Sequence, residues 1–282
     1  MNILNGKETS VKLNELLREE INVLTNNQRS PKLAVILVGS HPASLSYIKG
    51  KMKAASLVGI ETELFQLGND ATDDDVLTVI ESLNHDDNVD GMILQLPLPK
   101  QLYERKLIEA ISQYKDADGF HTLNQGNLYQ SIKGIVPATP LGIMKLLDAY
   151  EINVSGMNAV VIGRSNIVGF PTARLLMDKG ATVTICHSKT KDISLHTKLA
   201  DIVVIAVGKA NMLTADMIKN GAIIIDVGIN RVNGKLLGDA DFDSLKDIAS
   251  WITPVPGGVG PMTIHGLLSN TVELYKKHVK IN

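Results

Sequence analysis

The sequence predicts an α/β protein of two domains, each built around a buried parallel sheet. Short apolar runs rich in valine and isoleucine alternate with amphipathic stretches, which is typical of this class. At 282 residues the chain is long enough for two domains. We place the boundary near residue 140, because Pro137, Pro140 and the turn formers Ser155 and Gly156 interrupt the middle of the chain.

The apolar runs are too short for helices, so we predict strands at residues 33–38, 91–96, 159–162, 182–186, 202–207 and 222–227. Helical periodicity predicts helices at residues 10–24, 43–58, 73–83, 141–150, 168–178 and 264–277. Residues 230–251 have weak periodicity and are expected to form a covering loop with a short helix. The expected architecture is a βα domain at residues 1–140, a Rossmann-type doubly wound domain at residues 141–262, and a cleft between them.

Composition excludes several classes of partner. The 28 basic and 30 acidic residues give a net charge of −2, which argues against binding to nucleic acid or an anionic membrane. Cys186 is the single cysteine, so an intrachain disulfide and a thiolate zinc site are excluded, and the seven histidines lack paired metal-ligand spacing. We expect no metal. The sequence starts without a signal-peptide pattern and contains no membrane-length apolar run, so we expect a cytoplasmic protein.

Residues 163–169, with the sequence GRSNIVG, lie between a predicted strand and a predicted helix. Glycines let the backbone approach a pyrophosphate, and a helix N-terminus offers free N–H groups and the positive end of its dipole. The spacing differs from G-x-G-x-x-G, so the glycine pattern alone is weak. Its place within a β-α-β unit favours dinucleotide binding over a plain turn.

The residues after the next predicted strand, 186–191 (CHSKTK), lack the acid with which NAD sites hold the ribose 2′-hydroxyl. Arg164 and Ser188 are candidates for holding a 2′-phosphate, so we expect NADP. Lys189 and Lys191 are alternatives, although each alone is better explained by a solvated turn. Gly208 and Gly228 follow two further strands and would admit the nicotinamide ribose, with ordinary turns as an equal alternative.

Four polar residues of the first half suggest a reactive site. Tyr47 and Lys51 share one helix face and can position a ring and move a proton if the lysine is partly buried. Gln95 interrupts an apolar run, and Asp118 lies in a loop rich in turn formers. Taken singly, each residue has a plain explanation: Lys51 as a solvated helix lysine, Gln95 as an amide at the edge of the sheet, and Asp118 as part of an Asx turn. The prediction therefore depends on the combination. The proline- and glycine-rich residues 253–263 suit a planar ligand, with Thr263 predicted to cap the last helix.

Seven segments together resemble one family, the bifunctional methylenetetrahydrofolate dehydrogenase/methenyltetrahydrofolate cyclohydrolases known as FolD. They cover nearly the whole chain: YIKGK at 47–51, QLPLP at 95–99, KDADGFH at 115–121, PATP at 137–140, GRSNIVG at 163–169, DVGIN at 226–230 and PVPGGVGPMT at 254–263. The resemblance implies a one-carbon enzyme with two activities. It oxidises 5,10-methylenetetrahydrofolate to the methenyl form with NADP and then hydrolyses that product to 10-formyltetrahydrofolate.

The resemblance also implies residue roles. Lys51 is the key catalytic residue with Gln95 hydrogen-bonded to it, Tyr47 stacks on the folate, and Asp118 binds the pterin amino edge. The remaining expected folate contacts are Leu96, Pro256, Gly257 and Gly258. The expected NADP contacts are Gly163, Arg164, Ser165, Ile167, Val168, Gly169, His187, Ser188, Gly208, Gly228 and Ile229. The family is homodimeric, and its last helix, here residues 263–282, packs on the folate domain.

One position departs from the family pattern, since Ala138 stands where family members commonly have cysteine. The change removes a polarizable contact without implying loss of activity. Three alternatives stay open on sequence alone: another NADP dehydrogenase on a similar scaffold, a non-catalytic nucleotide-binding module, and a family member with one of the two activities.

Overall fold

The computed structural model describes residues 1–26 and 28–279, which form two compact units. The six-stranded unit comprises Met1–Lys12 and Thr139–His265, and the three-stranded unit comprises Leu13–Ala138 and Gly266–Asn282. The predicted two-part α/β architecture with parallel sheets is confirmed. No helix in the described part of the chain is long and apolar enough to cross a membrane.

The elements in chain order are β1 (Asn2–Ile3), α1 (Gly6–Leu24), β2 (Lys32–Val38), α2 (Pro42–Val58), β3 (Glu61–Leu67), α3 (Asp73–His85), β4 (Gly91–Leu94), α4 (Glu104–Ala110), α5 (Thr122–Tyr129), α6 (Ala138–Ala149), β5 (Asn158–Ile162), α7 (Gly169–Asp178), β6 (Thr182–Cys186), α8 (Ser194–Thr197), β7 (Ile202–Ile205), β8 (Ile223–Asp226), β9 (Asn230–Val232), β10 (Lys235–Leu237), α9 (Phe242–Leu245), β11 (Trp251–Ile252) and α10 (Val259–His278).

In the three-stranded unit, β2 lies between β3 and β4 and pairs with both in parallel. Strands β2 and β4 are almost wholly buried, and one of their faces packs on α3. The sequence alone did not reveal β3, because its residues alternate between exposed and half-buried as an edge strand allows. Local signals delimit two helices: Gly59 ends α2 in the left-handed region at φ 90°, and Thr72 and Asp75 form a capping box before α3.

The six-stranded sheet of the other unit has the order β1-β11-β8-β7-β5-β6, and all the pairings in this sheet are parallel. The valine and isoleucine side chains of β5, β7 and β8 form much of its core. The chain passes from β5 to β6 on one side and then to β7 on the other side of β5. The carboxyl end of β5 is therefore the topological switch point, where open parallel sheets bind ligands.

Several elements differ from the sequence prediction. The first twelve residues belong to the six-stranded unit, because β1 pairs with β11. Residues 230–251 contain the β9–β10 hairpin and α9 rather than mainly loop. Helices α4 and α5 were not predicted, being short and flanked by turns.

Several helices begin earlier than predicted, and two of them, α6 and α10, accommodate a proline in the first turn, where its missing N–H costs nothing. Helix α6 begins at Ala138 with Pro140 inside it, and α10 begins at Val259 with Pro261 inside it. The prediction that Thr263 caps α10 is wrong. Its hydroxyl lies within the helix, donates to the Val259 carbonyl and accepts a hydrogen bond from the Thr139 hydroxyl.

Candidate active site

Helix α2 places Tyr47 and Lys51 side by side in the three-stranded unit, one helical turn apart. The Lys51 Nζ atom lies 4.7 Å from the centroid of the Tyr47 ring, which is cation–π geometry. The lysine is only 6% exposed, so its amine is held inside the protein rather than in solvent. The plain explanation as a solvated helix lysine is therefore excluded.

Gln95 follows β4 directly and fixes the lysine from the other side. Its Oε1 atom accepts a hydrogen bond from Lys51 Nζ at 3.2 Å, and its Nε2 donates to the Leu96 carbonyl at 2.7 Å. The backbone N–H of Gln95 donates to the Ile36 carbonyl of β2. Because both ends of the amide are engaged, its oxygen is directed at the amine.

Asp118 is the acid of this cluster. Burial raises the pKa of its carboxyl to about 6, although the Lys51 charge lowers that pKa and the Asp116 charge raises it. Burial likewise lowers the pKa of Lys51, against the opposing effect of Asp118. Burial and then the Asp118 charge raise the pKa of Tyr47. Desolvation thus outweighs the attraction between acid and amine, so the pKa of Asp118 is raised and the pKa of Lys51 is lowered.

The loop that carries Asp118 is braced by two buried side chains that sequence reasoning missed. The Asp116 carboxylate accepts hydrogen bonds from the N–H groups of Gly119 and His121 and from Asn124 Nδ2. Asn270, on α10, donates to the carbonyls of Ala117 at 2.9 Å and Val136 at 2.8 Å. Among the described residues no donor engages the Asp118 carboxylate itself, so the loop is held while its acid stays available. An asparagine on an apolar helix face was the available signal for Asn270.

The glycine loop follows β5 in the six-stranded unit, at the switch point. Gly163 has φ +129°, and a Cβ there would lie 2.5 Å from the Ala206 carbonyl oxygen. A Cβ on Gly169 would lie 2.3 Å from the Gly163 carbonyl oxygen. Ser165 Oγ accepts the N–H groups of Val168 and Gly169 at the start of α7. Both glycines are needed for close strand-to-helix packing, which is the cradle that a pyrophosphate site requires.

The side chains expected to select NADP lie on adjacent loops, since β5 and β6 are neighbours. Arg164 is exposed on the first loop, beside the half-buried Ile167, and Ser188 is exposed on the second. The second loop is an ordered turn, in which the His187 N–H donates to Thr190 Oγ1 and the Lys189 N–H donates to His187 Nδ1. This arrangement leaves the guanidinium and the serine hydroxyl accessible to a phosphate.

On the other side of β5, the loops after β7 and β8 hold three expected cofactor contacts. Gly208 has φ +66°, so the turn favours glycine at this position. A Cβ on it would meet no atom within 4 Å, so the space beside it is open. Ile229 is 60% exposed. A Cβ on Gly228 would lie 2.3 Å from the Asp239 carboxylate, which explains that glycine by packing. Its contact with a cofactor stays a prediction.

The three expected folate contacts Pro256, Gly257 and Gly258 lie in the six-stranded unit, in the loop between β11 and α10. Gly257 has φ +107°, and its carbonyl accepts the N–H of Lys7 at the start of α1. A Cβ on Gly258 would lie 2.6 Å from the Pro254 carbonyl oxygen. The glycines are thus required by the local fold, and their folate contacts stay a prediction.

These features define an α/β protein with a dinucleotide-type cradle in one unit and, in the other, a buried amine and amide beside a half-buried acid. The described residues contain no cluster of His, Cys, Asp or Glu able to hold a metal ion.

Comparison with known proteins identifies the family. The model for the tetrahydrofolate dehydrogenase/cyclohydrolase catalytic domain matches residues 4–118, and the model for its NAD(P)-binding domain matches residues 137–279. The bifunctional protein FolD of Campylobacter hominis is 51% identical over 99% of both chains. The chain belongs to the tetrahydrofolate dehydrogenase/cyclohydrolase family.

Solved structures agree with this assignment. The bifunctional FolD of Campylobacter jejuni is 49% identical, with a TM-score of 0.96 over 98% of this chain and 99% of that one. The Trypanosoma brucei methylenetetrahydrofolate dehydrogenase-cyclohydrolase, solved with NADP and an inhibitor, is 34% identical, with a TM-score of 0.94 over 98% and 97% of the two chains.

Proposed function

We propose that this protein oxidises 5,10-methylenetetrahydrofolate to 5,10-methenyltetrahydrofolate with NADP and hydrolyses the product to 10-formyltetrahydrofolate. The observation that carries the proposal is the buried contact between Lys51 and Gln95 beside Tyr47, in a chain of this family. A plain nucleotide-binding module has no need of a desolvated amine held at a fixed position. The bifunctional relatives match over the full chain and not only over the nucleotide-binding unit.

Each residue of the cluster has a role that its geometry supports. Lys51, with its pKa lowered by burial, can accept and return a proton as water adds to the one-carbon bridge. Gln95 keeps the amine at one position, and the Tyr47 ring offers a flat face to a pterin. Asp118, whose carboxylate lacks a protein donor among the described residues, can accept the amino and ring N–H groups of the pterin.

NADP is the proposed cofactor and would accept the hydride in the oxidation. Gly163 and Gly169 allow the close backbone approach that its pyrophosphate needs, and Ser165 orders the start of α7. Arg164 and Ser188 would hold the 2′-phosphate from neighbouring loops. The absence of an acid after β6 supports the choice of NADP over NAD.

We further propose that the protein works in the cytoplasm as a homodimer without nucleic acid or membrane partners. The balanced charge of the chain and the resemblance to FolD support these points. Size-exclusion chromatography with light scattering measures the oligomeric state directly, and a single species of monomer mass would overturn the dimer.

The deciding experiment is an assay of the purified protein with 5,10-methylenetetrahydrofolate and either NADP⁺ or NAD⁺. NADPH and the methenyl intermediate are followed together by their absorbances. We expect NADPH formation with NADP⁺ and, in a second assay, decay of added methenyltetrahydrofolate. Absence of reduction with either cofactor contradicts the dehydrogenase, and a persistent methenyl signal contradicts the cyclohydrolase.

A further inference from the structure

Asp239 is wholly buried in the six-stranded unit, yet it lies outside the expected cofactor contacts. Its Oδ2 atom accepts the N–H groups of Val207 at 2.7 Å and Gly208 at 2.9 Å, and its Oδ1 accepts the N–H of Lys209 at 2.8 Å. Three consecutive backbone donors of the loop after β7 therefore converge on one carboxylate. No lysine, arginine or histidine of the described chain forms an ion pair with it, so hydrogen bonds balance its charge.

The same carboxylate also ties down the loop after β8. Asn230 Nδ2 donates to Asp239 Oδ1 at 2.8 Å. Gly228 lies so close that a Cβ on it would be 2.3 Å from Asp239 Oδ1. The loops that follow two neighbouring strands thus share a single acceptor, and neither can move without breaking a charge-assisted hydrogen bond.

A second buried acid, Asp226 at the end of β8, sets the position of Asp239. Its Oδ1 atom accepts the backbone N–H groups of Gly228 and Asp239, and its Oδ2 accepts that of Ala240. A Cβ on Gly238 would lie 1.8 Å from Asp226 Oδ2, so only glycine fits before Asp239. The local sequence is therefore built to direct the Asp239 side chain at the loop after β7.

The sheet order assigns these loops to one half of a bound dinucleotide. Strands β7 and β8 lie on one side of β5, and β6 lies on the other. A dinucleotide crosses the switch point, so its 2′-phosphorylated adenosine belongs to the β6 side and its nicotinamide half to the β7 and β8 side. Gly208, with open space at its Cβ position, faces that second half without a side chain.

We propose that Asp239 is the positioning residue for the nicotinamide half of NADP, acting through the loops after β7 and β8. This inference rests on the proposed NADP site. Asp239 itself does not touch the cofactor, because its oxygens are consumed by four protein donors. It makes the backbone around Gly208 and Asn230 a preformed surface, which lowers the cost of ordering on binding.

The test is calorimetric titration of the full chain with NADP and with adenosine 2′,5′-bisphosphate, which lacks the nicotinamide half. Asp239→Asn replaces one acceptor oxygen with an N–H₂ group that opposes two backbone donors. We expect the Kd for NADP to rise about tenfold, which corresponds to the loss of one charge-assisted hydrogen bond. The Kd for the bisphosphate should stay within about twofold of the wild-type value. The KM for NADP should rise likewise, with the KM for the folate unchanged.

Asp116→Asn is the matched control, because Asp116 is a buried carboxylate that also accepts protein N–H donors, but in the three-stranded unit. It should lower the melting temperature and leave both Kd values unchanged. Asn230→Ala removes one of the donors to Asp239, and it tests the proposed role of Asp239 if Asp239→Asn fails to fold. We expect its Kd for NADP to rise about threefold and its Kd for the bisphosphate to stay unchanged.

An unchanged NADP Kd in the Asp239 and Asn230 variants overturns the inference, as does equal weakening of NADP and the bisphosphate. Equal weakening of NADP by Asp116→Asn also overturns it, because general destabilisation would then explain the effect. If wild-type protein binds neither ligand, the proposed NADP site fails and this inference with it. If it binds both and the variants bind as wild type does, only the inference fails.

Discussion

The two units each carry an aspartate at the proposed ligand sites, half-buried Asp118 in one and wholly buried Asp239 in the other, and the two carboxylates have opposite environments. Asp118 of the three-stranded unit receives no protein donor among the described residues, and burial raises its pKa to about 6. Asp239 of the six-stranded unit receives four donors. A carboxylate without protein donors is available to a ligand, whereas a saturated one is a structural anchor.

The basic residues at the two proposed sites also differ in whether they are buried or available to a ligand. Lys51 is buried with one amide acceptor, and its lowered pKa suits proton transfer. Arg164 is exposed and suits a direct contact with phosphate. At the proposed sites, the groups whose protonation we expect to change, Lys51 and Asp118, lie in the three-stranded unit, and the six-stranded unit supplies fixed donors and shape. Burial also raises the pKa of Asp226 in the six-stranded unit to about 6, but its carboxylate is held by three backbone N–H groups. Substitutions should affect rate in the first unit and cofactor affinity in the second.

The largest effect is expected at Lys51. Lys51→Met keeps the length of the side chain but removes the amine, so the cyclohydrolase rate should fall by about 10²- to 10⁴-fold. The Kd for NADP should stay unchanged. Lys53→Met is the control, since Lys53 is exposed on the same helix. Full cyclohydrolase activity in the Lys51 variant, measured by decay of the methenyl absorbance, would remove the proposed role of the amine.

The next effect should appear in the other unit. Arg164→Ala deletes the guanidinium proposed to hold the 2′-phosphate, and the KM for NADP should rise about 10- to 100-fold, as for loss of a charged hydrogen bond. The KM for NAD should change little, so the preference between the cofactors narrows. Arg174→Ala on α7, where Arg174 pairs with Asp178, is the matched control. A KM for NADP unaltered by Arg164→Ala argues against phosphate contact.

The same contrast explains what the sequence could predict. The buried strands β2, β5 and β7 are apolar on both faces, so they were visible as apolar runs. The edge strand β3 and the two-residue β1 were missed, because an exposed strand has no such run and β1 is defined only by its pairing with β11. Tertiary pairing leaves no trace in local periodicity.

The candidate site divides in a similar way. Tyr47, Lys51, Gln95 and Asp118 were predicted as a combination, and the structure brings the first three into contact, with the Asp118 charge acting on Lys51. The sequence did not identify the residues whose side chains hold the loops of the site, which are Asp116, Asn270, Asp226 and Asp239. Their partners are backbone groups distant in sequence, and an aspartate in a turn-forming run reads locally as a turn residue.

A smaller effect should follow from the titration of Asp118. Its pKa of about 6 means that the carboxylate is ionised above pH 6 and becomes protonated below it. If the ionised form accepts hydrogen bonds from the pterin, the Kd for a stable folate analogue should rise about tenfold between pH 7 and pH 5. Calorimetry across this range measures it. Asp118→Asn should bind weakly at all pH values; a pH dependence retained in that variant would assign the effect to another group.

The last effect is on stability rather than on activity or binding, and it concerns a titratable group in the six-stranded unit to which we assign no catalytic role. His265 is 2% exposed, and burial, aided by the nearby Lys145 charge, lowers its pKa to about 3. Lys145 Nζ lies 3.1 Å from His265 Nε2, so the neutral ring accepts this bond. Between about pH 6.5 and pH 3 the unfolded chain therefore binds a proton that the folded chain does not. Stability from this residue is present above pH 6.5 and is lost as the pH falls.

His265→Gln keeps an acceptor for Lys145 and removes this titration. The loss of unfolding free energy between pH 7 and pH 4.5 should be smaller than in wild type by about 1–3 kcal/mol. Urea denaturation at the two pH values measures it, with His196→Gln as the control at an exposed histidine. If wild type and the His265 variant lose the same stability on acidification, His265 is protonated in the folded state. The six-stranded unit would then contain a buried histidine that titrates, and the contrast between the two units would have to be confined to Asp118 and Asp239.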